Sequence, residues 1–301
     1  MVRFPRSRLV GAALLFSTGG AAIKAVSLTS WQVASMRSAI AALAIALLLP
    51  ASRRAWSWRA ALVALAYAAT LILFVLANKL TTSANAIFLQ STAPLYILIA
   101  SPWLLRERPS RDDVGFVLVV VGALALFFLG REPAVATATD PRLGNILALS
   151  SGVSWALTLM GLRWLAAGPN GGSAGSATIV IGNLLGCAIA LPFALPVEHM
   201  GLRDLGLMLF LGVFQLGLAY VLVTAALRAL PALEASAILL IEPTFNPVWS
   251  WLVHGERPNA WSLVGGALIL GATLVKSWRD ARTTRAAGSQ AATRVQDHVF
   301  E

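Results

Sequence analysis

The sequence predicts an all-α integral membrane protein with ten transmembrane helices, arranged as two inverted five-helix repeats with both termini in the cytoplasm. Three observations support this fold class: an apolar composition, a series of continuous apolar stretches, and a set of residues that occurs twice. Of the 301 residues, 58% are hydrophobic and only 12% are charged, which is far too apolar for a soluble globular protein. The apolar stretches do not alternate with polar residues, so helices are favoured over barrel strands.

Each apolar stretch is about 18–25 residues long, which is enough to cross about 30 Å of hydrocarbon as a helix. In chain order, the predicted spans are residues 9–27, 31–50, 58–78, 83–105, 114–130, 143–165, 176–196, 205–227, 233–253 and 260–277. The first stretch lacks a convincing cleavage site for a signal peptide, so it is expected to remain as a helix. The polar segment 279–301 is expected to be a disordered cytoplasmic tail.

The net charge of +10 would suit a nucleic-acid partner, but its distribution along the chain argues against one. Counted across ten spans, sixteen of the 23 Lys and Arg residues fall on the side of the N-terminus and six on the other side, with Arg37 inside a span. Loops rich in Lys and Arg stay in the cytoplasm. The bias therefore predicts a multi-pass protein of the cytoplasmic (inner) membrane whose N- and C-termini are both cytoplasmic.

Two halves of the chain share residues at a constant offset of 149 positions. Ala86, Pro94, Ser101, Glu107-Arg108-Pro109 and Gly122-Ala123 recur as Ala235, Pro243, Ser250, Glu256-Arg257-Pro258 and Gly271-Ala272. The predicted units are a first repeat at 1–131, a linker at 132–141 and a second repeat at 142–278. A repeat with an odd number of spans inverts its second copy, and inverted repeats are typical of secondary transporters. The two Glu-Arg-Pro triplets are expected to be turn residues outside the chemistry.

The repeated segments also carry a resemblance to a known family. STAPLYILIASPWLLRERP and IEPTFNPVWSWLVHGERP, each followed by a Gly-rich apolar helix, resemble the two EamA modules of the drug/metabolite transporter superfamily. The chain's length and aromatic-rich interior are similar to those of aromatic amino acid exporters of the YddG type. The resemblance implies ten helices, a 5+5 inverted repeat, and a central cavity lined by spans 1, 3, 4, 6, 8 and 9.

Prolines lie inside two predicted spans at matching places in the halves. Pro94 in span 4 corresponds to Pro243 in span 9, and Pro247 follows four residues later. Proline removes a backbone donor and frees a carbonyl, and discontinuous helices at matching positions are a sequence indication of a transport site. We therefore expect Pro94, Pro243 and Pro247 to be hinges, with purely structural kinks as the alternative.

Polar and aromatic residues inside the spans are the candidate solute contacts, because polar groups are costly in hydrocarbon. Glu242 is the carboxylate nearest to a span centre, and its possible roles are proton coupling, binding a substrate ammonium, or supporting the fold. Arg37 extends to the interface, bonds a neighbouring helix, or bonds a substrate carboxylate. Aromatic rings can stack on an aromatic solute, with simple packing as the alternative. The candidate binding residues are Tyr67, Asn85, Phe88, Gln90, Tyr96, Ser154, Trp155, Thr158, Gln215, Tyr220 and Glu242.

The sequence lacks the motifs of several other function classes. It contains neither GxxxxGK[ST] nor HExxH, and it has no Cys/His cluster, so no enzyme activity, metal or cofactor is expected. The predicted function is a secondary transporter that exports amino acids, aromatic and other apolar ones preferred, by alternating access. The alternatives are a multidrug or other small-metabolite exporter and, in a different class, a channel or membrane scaffold. The expected partners are amino acid solutes and the lipid bilayer. The sequence leaves the oligomeric state open and is compatible with a monomer.

Overall fold

The computed structural model describes residues 5–53, 56–104, 111–129, 136–166, 171–227, 238–239 and 241–297. Within these ranges the chain is helical and contains no strand. A 3₁₀ turn, Pro50–Arg53, follows α3, and a π-helical segment, Phe210–Leu218, joins α10 to α11. The α-helices are α1 (Pro5–Ser17), α2 (Gly19–Ala25), α3 (Ser30–Leu48), α4 (Trp58–Leu80), α5 (Ser83–Gln90), α6 (Ala93–Leu104), α7 (Arg111–Leu129), α8 (Pro141–Ala166), α9 (Gly171–Ala194), α10 (Leu202–Leu209), α11 (Ala219–Leu227), α12 (Ile241–His254) and α13 (Ala260–Asp297).

Several of these helices are long and apolar enough to cross a bilayer. Within the described ranges, the five that qualify by length and composition are Ser30–Leu48, Trp58–Leu80, Pro141–Leu162, Ser173–Ala194 and Leu202–Val223, and two shorter apolar helices are Val114–Leu126 and Ala260–Lys276. Large apolar side chains along them are exposed, for example Leu62 on α4, Leu118 on α7 and Phe193 on α9. A surface of this kind requires lipid rather than water, so the chain is an all-helical membrane protein.

The first predicted span is two helices instead of one, because α1 and α2 are separated at Thr18. The hydroxyls of Ser17 and Thr18 donate to the carbonyls of Leu14 and Leu15, both at 2.7 Å. Such bonds compete with the helical ladder, and Gly19 and Gly20 directly after the break are poor helix formers. The break therefore comes from a short Ser-Thr-Gly-Gly stretch and not from a proline.

The fourth predicted span is also divided, and here a proline lies just beyond the break. α5 ends at Gln90 and α6 begins at Ala93, so Pro94 lies in the first turn of α6, where a missing N–H costs little. The Ser91 hydroxyl donates to the Ile87 carbonyl at 2.7 Å and the Thr92 hydroxyl to the Leu89 carbonyl at 2.6 Å. Each of the two carbonyls also accepts the backbone N–H of the same residue, so the hydroxyls bond within the turn where the two helices meet.

The other two predicted hinges lie in α12. Pro243 is in its first turn and Pro247 is inside the helix, which continues to His254. Residues 228–237 and residue 240, which include the start of the predicted ninth span, lie outside the described ranges. The first Glu-Arg-Pro triplet, Glu107-Arg108-Pro109, and residues 132–135 of the linker lie outside them as well.

The helices of the two predicted halves pack against each other in matching pairs. α3 packs on α9, α7 on α13, and α5 on α12. In addition, α4 packs on α8 just as α11 packs on α1. Exchanging each predicted span with the one five places later reproduces all of these pairs, which is the packing expected of two related five-helix units.

Close helix crossings occur at particular glycines. A Cβ added at Gly182 of α9 would lie 2.4 Å from Cδ1 of Tyr67 and 3.0 Å from the Ala64 carbonyl oxygen of α4. Gly122 of α7, by contrast, has no neighbour within 4 Å of such a Cβ. Small residues therefore bring α4 and α9 together behind Tyr67, whereas the glycine of α7 makes no such contact.

The last helix extends beyond the bilayer-length segment. α13 continues to Asp297, so residues 279–297 are helical where the sequence analysis expects a disordered tail. The physical reason is intrinsic propensity, because Ala, Arg and Gln in this segment are good helix formers. Arg282 also lies over the ring of Trp278, 3.6 Å from its centroid, which is a favourable cation–π contact.

Candidate solute-binding cavity

A cavity of about 260 Å³ lies among the helices of the two halves. Its volume is just below the range of about 300–1,000 Å³ usual for small-molecule sites. Its walls come from α1, α3, α4, α5, α6, α8, the π-helical segment, α11, α12 and α13. The lining residues are Phe16, Arg37, Tyr67, Thr70, Leu71, Phe74, Ile87, Gln90, Ser91, Ala93, Trp155, Leu159, Gln215, Leu216, Tyr220, Val223, Leu239, Glu242, Pro243 and Thr273.

One wall of the cavity is aromatic. The rings of Phe16 and Tyr220 meet edge to face with centroids 5.2 Å apart, and those of Tyr67 and Tyr220 do so at 5.6 Å. Trp155 of α8 packs against the apolar cluster that contains Tyr67, as do Phe16 and Tyr220. Edge-to-face contacts hold rings in defined orientations, so the cavity presents fixed ring surfaces contributed by α1, α4, α8 and α11.

Two glutamine side chains supply amide groups to the cavity. The Gln90 amide donates to the Ser151 hydroxyl at 2.6 Å, which ties the end of α5 to α8. Gln215 lies on the π-helical segment and donates to the Phe16 carbonyl at 3.4 Å. Its oxygen Oε1 is buried and accepts no hydrogen bond from the described residues. π-helical segments occur often at functional sites, and this one directs Gln215 to the cavity.

The cavity also contains one residue of each charge. Arg37 of α3 is 1% exposed, and its Nη2 donates to the Leu71 carbonyl at 3.3 Å. Its Nε has no hydrogen-bond partner in the described part of the chain. Glu242, the second residue of α12, lines the same cavity. Tyr220 lies within electrostatic reach of both charges.

The structure brings half of the predicted binding residues to this cavity. Those that line it are Tyr67, Gln90, Trp155, Gln215, Tyr220 and Glu242, together with the predicted hinge Pro243. They come from six separate elements. Pro243 places the first turn of α12 directly against the cavity.

The other five predicted binding residues lie elsewhere. Asn85 is buried and donates to Asn145 at 3.2 Å, and Phe88 is buried against Gly266 of α13. Tyr96 packs beside a large apolar cluster to which both halves contribute. The hydroxyls of Ser154 and Thr158 donate to carbonyls one turn earlier in α8, at 3.0 and 2.8 Å. In each case a local partner or apolar neighbour outside the cavity takes up the side chain.

Two other features at the cavity were not among the predicted binding residues. Phe16 belongs to the ring wall. For Arg37 the sequence left an interface role, a bond between helices and a substrate role open, and the structure shows a bond to the Leu71 carbonyl of α4. A signal for Arg37 existed in the sequence, since a charged residue well inside a span is costly and needs a reason. No comparable sequence signal distinguishes Phe16 from other apolar residues of its span.

One end of the helix bundle is closed by a buried polar network, here called the Lys24 network, formed by Lys24, Thr81, Ser83, Thr137 and Glu256. Nζ of Lys24 is 2.6 Å from Oε1 of Glu256, and both side chains are less than 5% exposed. Lys24 also donates to the carbonyls of Thr81, at 2.8 Å, and Thr137. The second carboxylate oxygen of Glu256 accepts from the backbone N–H of Ser83 at 3.0 Å.

The Lys24 network corrects the expected role of the second Glu-Arg-Pro triplet. Glu256 is not merely a turn residue, because it joins α2, the N-terminus of α5 and the loop before α13. Burial strengthens the attraction between the two charges but removes both from water, so the loss of either partner would leave a costly unpaired charge. The sequence could not reveal this, since Lys24 and Glu256 are more than two hundred residues apart in the chain.

In a comparison with known proteins, one family model matches two separate segments of the chain. The family model described as the EamA-like transporter family matches residues 8–129 and again residues 142–278. Among curated proteins, the chain is 22% identical over 216 residues to an uncharacterized transporter of Methanothermobacter thermautotrophicus, covering 69% of this chain and 60% of that protein. It is 29% identical over 273 residues to the pseudopaline exporter CntI of two Pseudomonas aeruginosa strains, covering 88% of this chain and 93% of that protein.

A solved crystal structure has a similar arrangement of helices. It aligns with a TM-score of 0.62 at 18% sequence identity, covering 93% of this chain and 98% of the other. At this identity the likeness concerns the fold alone.

Proposed function

The chain belongs to the EamA-like transporter family, and we propose that within this family it is a secondary transporter that exports amino acids, with aromatic and other apolar ones preferred. Family membership makes the protein a multi-pass membrane transporter and not an enzyme. The observation that carries the proposed solute class is the central cavity, in which ring surfaces lie beside one cationic and one anionic side chain.

The chemistry of the cavity suits an amino acid with a large apolar side chain. Rings of Phe16, Tyr67, Trp155 and Tyr220 offer faces and edges for stacking an aromatic solute. Glu242 offers a carboxylate to an ammonium group. Its position on the cavity wall, rather than in an ion pair, supports this role, because it makes no ion pair with the described residues.

The orientation of the protein in the cytoplasmic membrane is part of the proposal. With the N- and C-termini in the cytoplasm, the excess of Lys and Arg lies inside, and the Lys24 network faces outward. The matching helix pairs of the two halves and the double family match support the inverted 5+5 repeat of ten spans.

The proposed transport mechanism is alternating access. One half moves against the other about hinges at Pro94, Pro243 and Pro247, and the cavity opens to each side in turn. Three interruptions support such movement: the break between α1 and α2, the break between α5 and α6, and the π-helical segment. Interrupted helices have backbone groups that can exchange partners without unfolding the span.

A second candidate is the export of another small metabolite, and one observation favours it. A relative that matches over 88% of this chain is named a pseudopaline exporter, so proteins of similar sequence carry other solutes. The two candidates share the fold and the mechanism. They differ in which solutes compete for transport.

The test is counterflow of labelled Trp, Phe, Thr and Met into proteoliposomes, with and without a proton gradient. The proposal expects saturable counterflow, strongest for Trp and Phe and weaker for Thr. Counterflow of none of these amino acids would overturn the amino acid proposal, and inhibition by organic cations or by other metabolites alone would favour the second candidate. A channel or scaffold would show neither saturation nor counterflow.

The same preparation tests the role of Glu242. If Glu242 carries the coupled proton, Glu242→Gln should make counterflow insensitive to the proton gradient. If it only binds the ammonium, Glu242→Gln should raise the half-saturation for amino acids and leave the response to the gradient unchanged. An unchanged half-saturation together with an unchanged response would assign Glu242 to the fold.

A further inference from the structure

Arg37 is the most deeply buried charged side chain at the cavity, and nothing in its surroundings neutralises it. It is 1% exposed, and no carboxylate lies within 4 Å of it in the part of the chain that the structure describes. The one hydrogen bond that it donates is a long bond of 3.3 Å to a backbone carbonyl. A buried guanidinium with one neutral acceptor is costly, so an anionic partner is expected for part of the protein's working cycle.

The free donor of Arg37 belongs to a residue of the cavity wall. Its Nε is buried, has no protein partner among the described residues, and stands on a side chain that lines the cavity. Arg37 is not extended to the membrane interface, because such a side chain would be exposed at its tip. Its position therefore excludes the interface role. The bond to the Leu71 carbonyl of α4 joins two helices but engages only one of its nitrogens.

The two charges of the cavity lie at different depths. Arg37 is seven residues from the start of α3 at the end that carries the Lys24 network, about 10 Å along the helix axis. Glu242 is twelve residues before the end of α12 at that same end, about 18 Å along its axis. A solute that reached both would lie with its anionic group toward the Lys24 network and its cationic group away from it.

We propose that Arg37 binds the carboxylate of the transported solute, so that the cavity selects carboxylate-bearing molecules and, with Glu242, orients zwitterionic ones. This inference rests on the exporter function proposed above, and it names the chemical class that the site accepts. The guanidinium binds the carboxylate through charge-assisted hydrogen bonds from Nε and a terminal nitrogen, in the two-point geometry that arginine offers. The oxygen of Gln215, which accepts no bond from the described residues, is available to a solute donor nearby.

Three probes with the same ring separate the contributions of the two charges. 3-Phenylpropionate has only the carboxylate, 2-phenylethylamine has only the amine, and phenylalanine has both. Binding is measured on the purified full-length protein in detergent by equilibrium dialysis, and counterflow is measured in proteoliposomes. The variants are Arg37→Gln, which removes the charge, Arg37→Lys, which keeps it, and Ser38→Ala, a buried neighbour on α3 outside the cavity lining.

The wild-type protein should bind phenylalanine and 3-phenylpropionate. Arg37→Gln should weaken both by about tenfold or more, because a hydrogen-bonded charge is lost, and should leave 2-phenylethylamine within about twofold. Arg37→Lys should recover part of the carboxylate affinity. If the Gln variant does not fold, the comparison of Arg37→Lys with the wild type takes its place. Ser38→Ala should bind all three probes as the wild type does.

Equal loss of all three probes in Arg37→Gln, or unchanged binding of 3-phenylpropionate, would overturn the role of Arg37. Absence of 3-phenylpropionate binding to the wild type would overturn it as well. The proposed function fails separately: if no amino acid shows counterflow but 3-phenylpropionate binding depends on Arg37, the carboxylate site stands and the amino acid solute does not. If counterflow is robust and independent of Arg37, the function stands and the carboxylate site does not.

Discussion

At the scale of single residues, the cavity combines groups that would each be unremarkable alone. The residues around Trp155 in the sequence do not distinguish it from an ordinary packing residue. In the structure it lines the cavity and contacts the apolar cluster that includes Tyr67. Ser154 and Thr158 on the same helix instead donate to their own backbone. The side of α8 that faces the cavity is therefore defined by Trp155 and not by the hydroxyl residues beside it.

Replacement of Trp155 should selectively weaken the binding of aromatic solutes. Trp155→Ala removes a ring surface, and ring–ring contacts contribute about 0.5–1.5 kcal/mol beyond buried area. The half-saturation of Trp and Phe counterflow should rise about threefold to tenfold, while that of Thr should change little. Trp155→Phe serves as the control and should give an intermediate value. Unchanged kinetics in Trp155→Ala would assign the residue to packing.

The Lys24–Glu256 pair makes a prediction about stability. Glu256→Gln leaves the Lys24 ammonium buried without its carboxylate, and breaking a buried pair in this way costs about 3–5 kcal/mol. The variant should unfold at a lower denaturant concentration in detergent solution. The double variant Lys24→Met/Glu256→Gln should recover much of the loss, because no charge is then left unpaired. Equal stability of wild type and Glu256→Gln would show that the pair is not formed in solution.

At the scale of elements, the cavity wall combines interrupted helices with continuous ones. The α1/α2 break, the α5/α6 break and the π-helical segment all contribute residues to the cavity wall. The long helices α3, α4, α8 and α9 supply the frame against which these elements pack. Rigid helices thus hold the site, while the interrupted ones contain the backbone that can rearrange.

A proline in α12 offers a test of the hinge role. Pro247→Ala restores a backbone donor inside α12 and removes the clash of the ring with the preceding turn, so this helix should become stiffer. The turnover of counterflow should fall several-fold while the half-saturation stays within about twofold. The matched control is Pro192→Ala, which changes another proline inside a helix, α9, at an exposed position away from the cavity. Equal effects of the two substitutions would contradict a hinge at Pro247.

At the scale of the whole molecule, the two halves form one bundle whose equivalent helices meet at its centre. α5 and α12 contact each other across the halves, and α3 contacts α9. The Lys24 network joins the first half to Glu256 of the second half.

The orientation of the bundle is tested by cysteine labelling in whole cells. Cys187 is first replaced by alanine, and single cysteines are introduced at Leu202, which is 89% exposed, or at Ala51, an exposed residue of the 3₁₀ turn. A membrane-impermeant maleimide should label Leu202→Cys in intact cells and label Ala51→Cys only after the cells are permeabilised. The reverse pattern would place both termini outside.

Much of the fold could be predicted from sequence because hydrophobic length and charge distribution are direct consequences of the bilayer. The apolar stretches gave the long helices α3, α4, α8 and α9, and Pro94 indicated the neighbourhood of the α5/α6 break. The break at Thr18 and the π-helical segment were not predicted, because each depends on short-range competition for backbone hydrogen bonds that apolar patterning does not report. The helical segment 279–297 differs from expectation because helix propensity outweighed its polar composition.

By itself, the sequence determined that the protein is a helical membrane protein built from two related halves, since composition, span length and the 149-residue offset are properties of the chain alone. Only the tertiary structure decided which of the polar and aromatic residues share a cavity. Asn85 and Gln90 lie on the same helix, yet one is bonded to Asn145 and the other lines the cavity. The physical reason is that a side chain's surroundings depend on which helices cross at its depth, and Arg37, Glu242 and the Lys24–Glu256 pair come together only when distant spans pack.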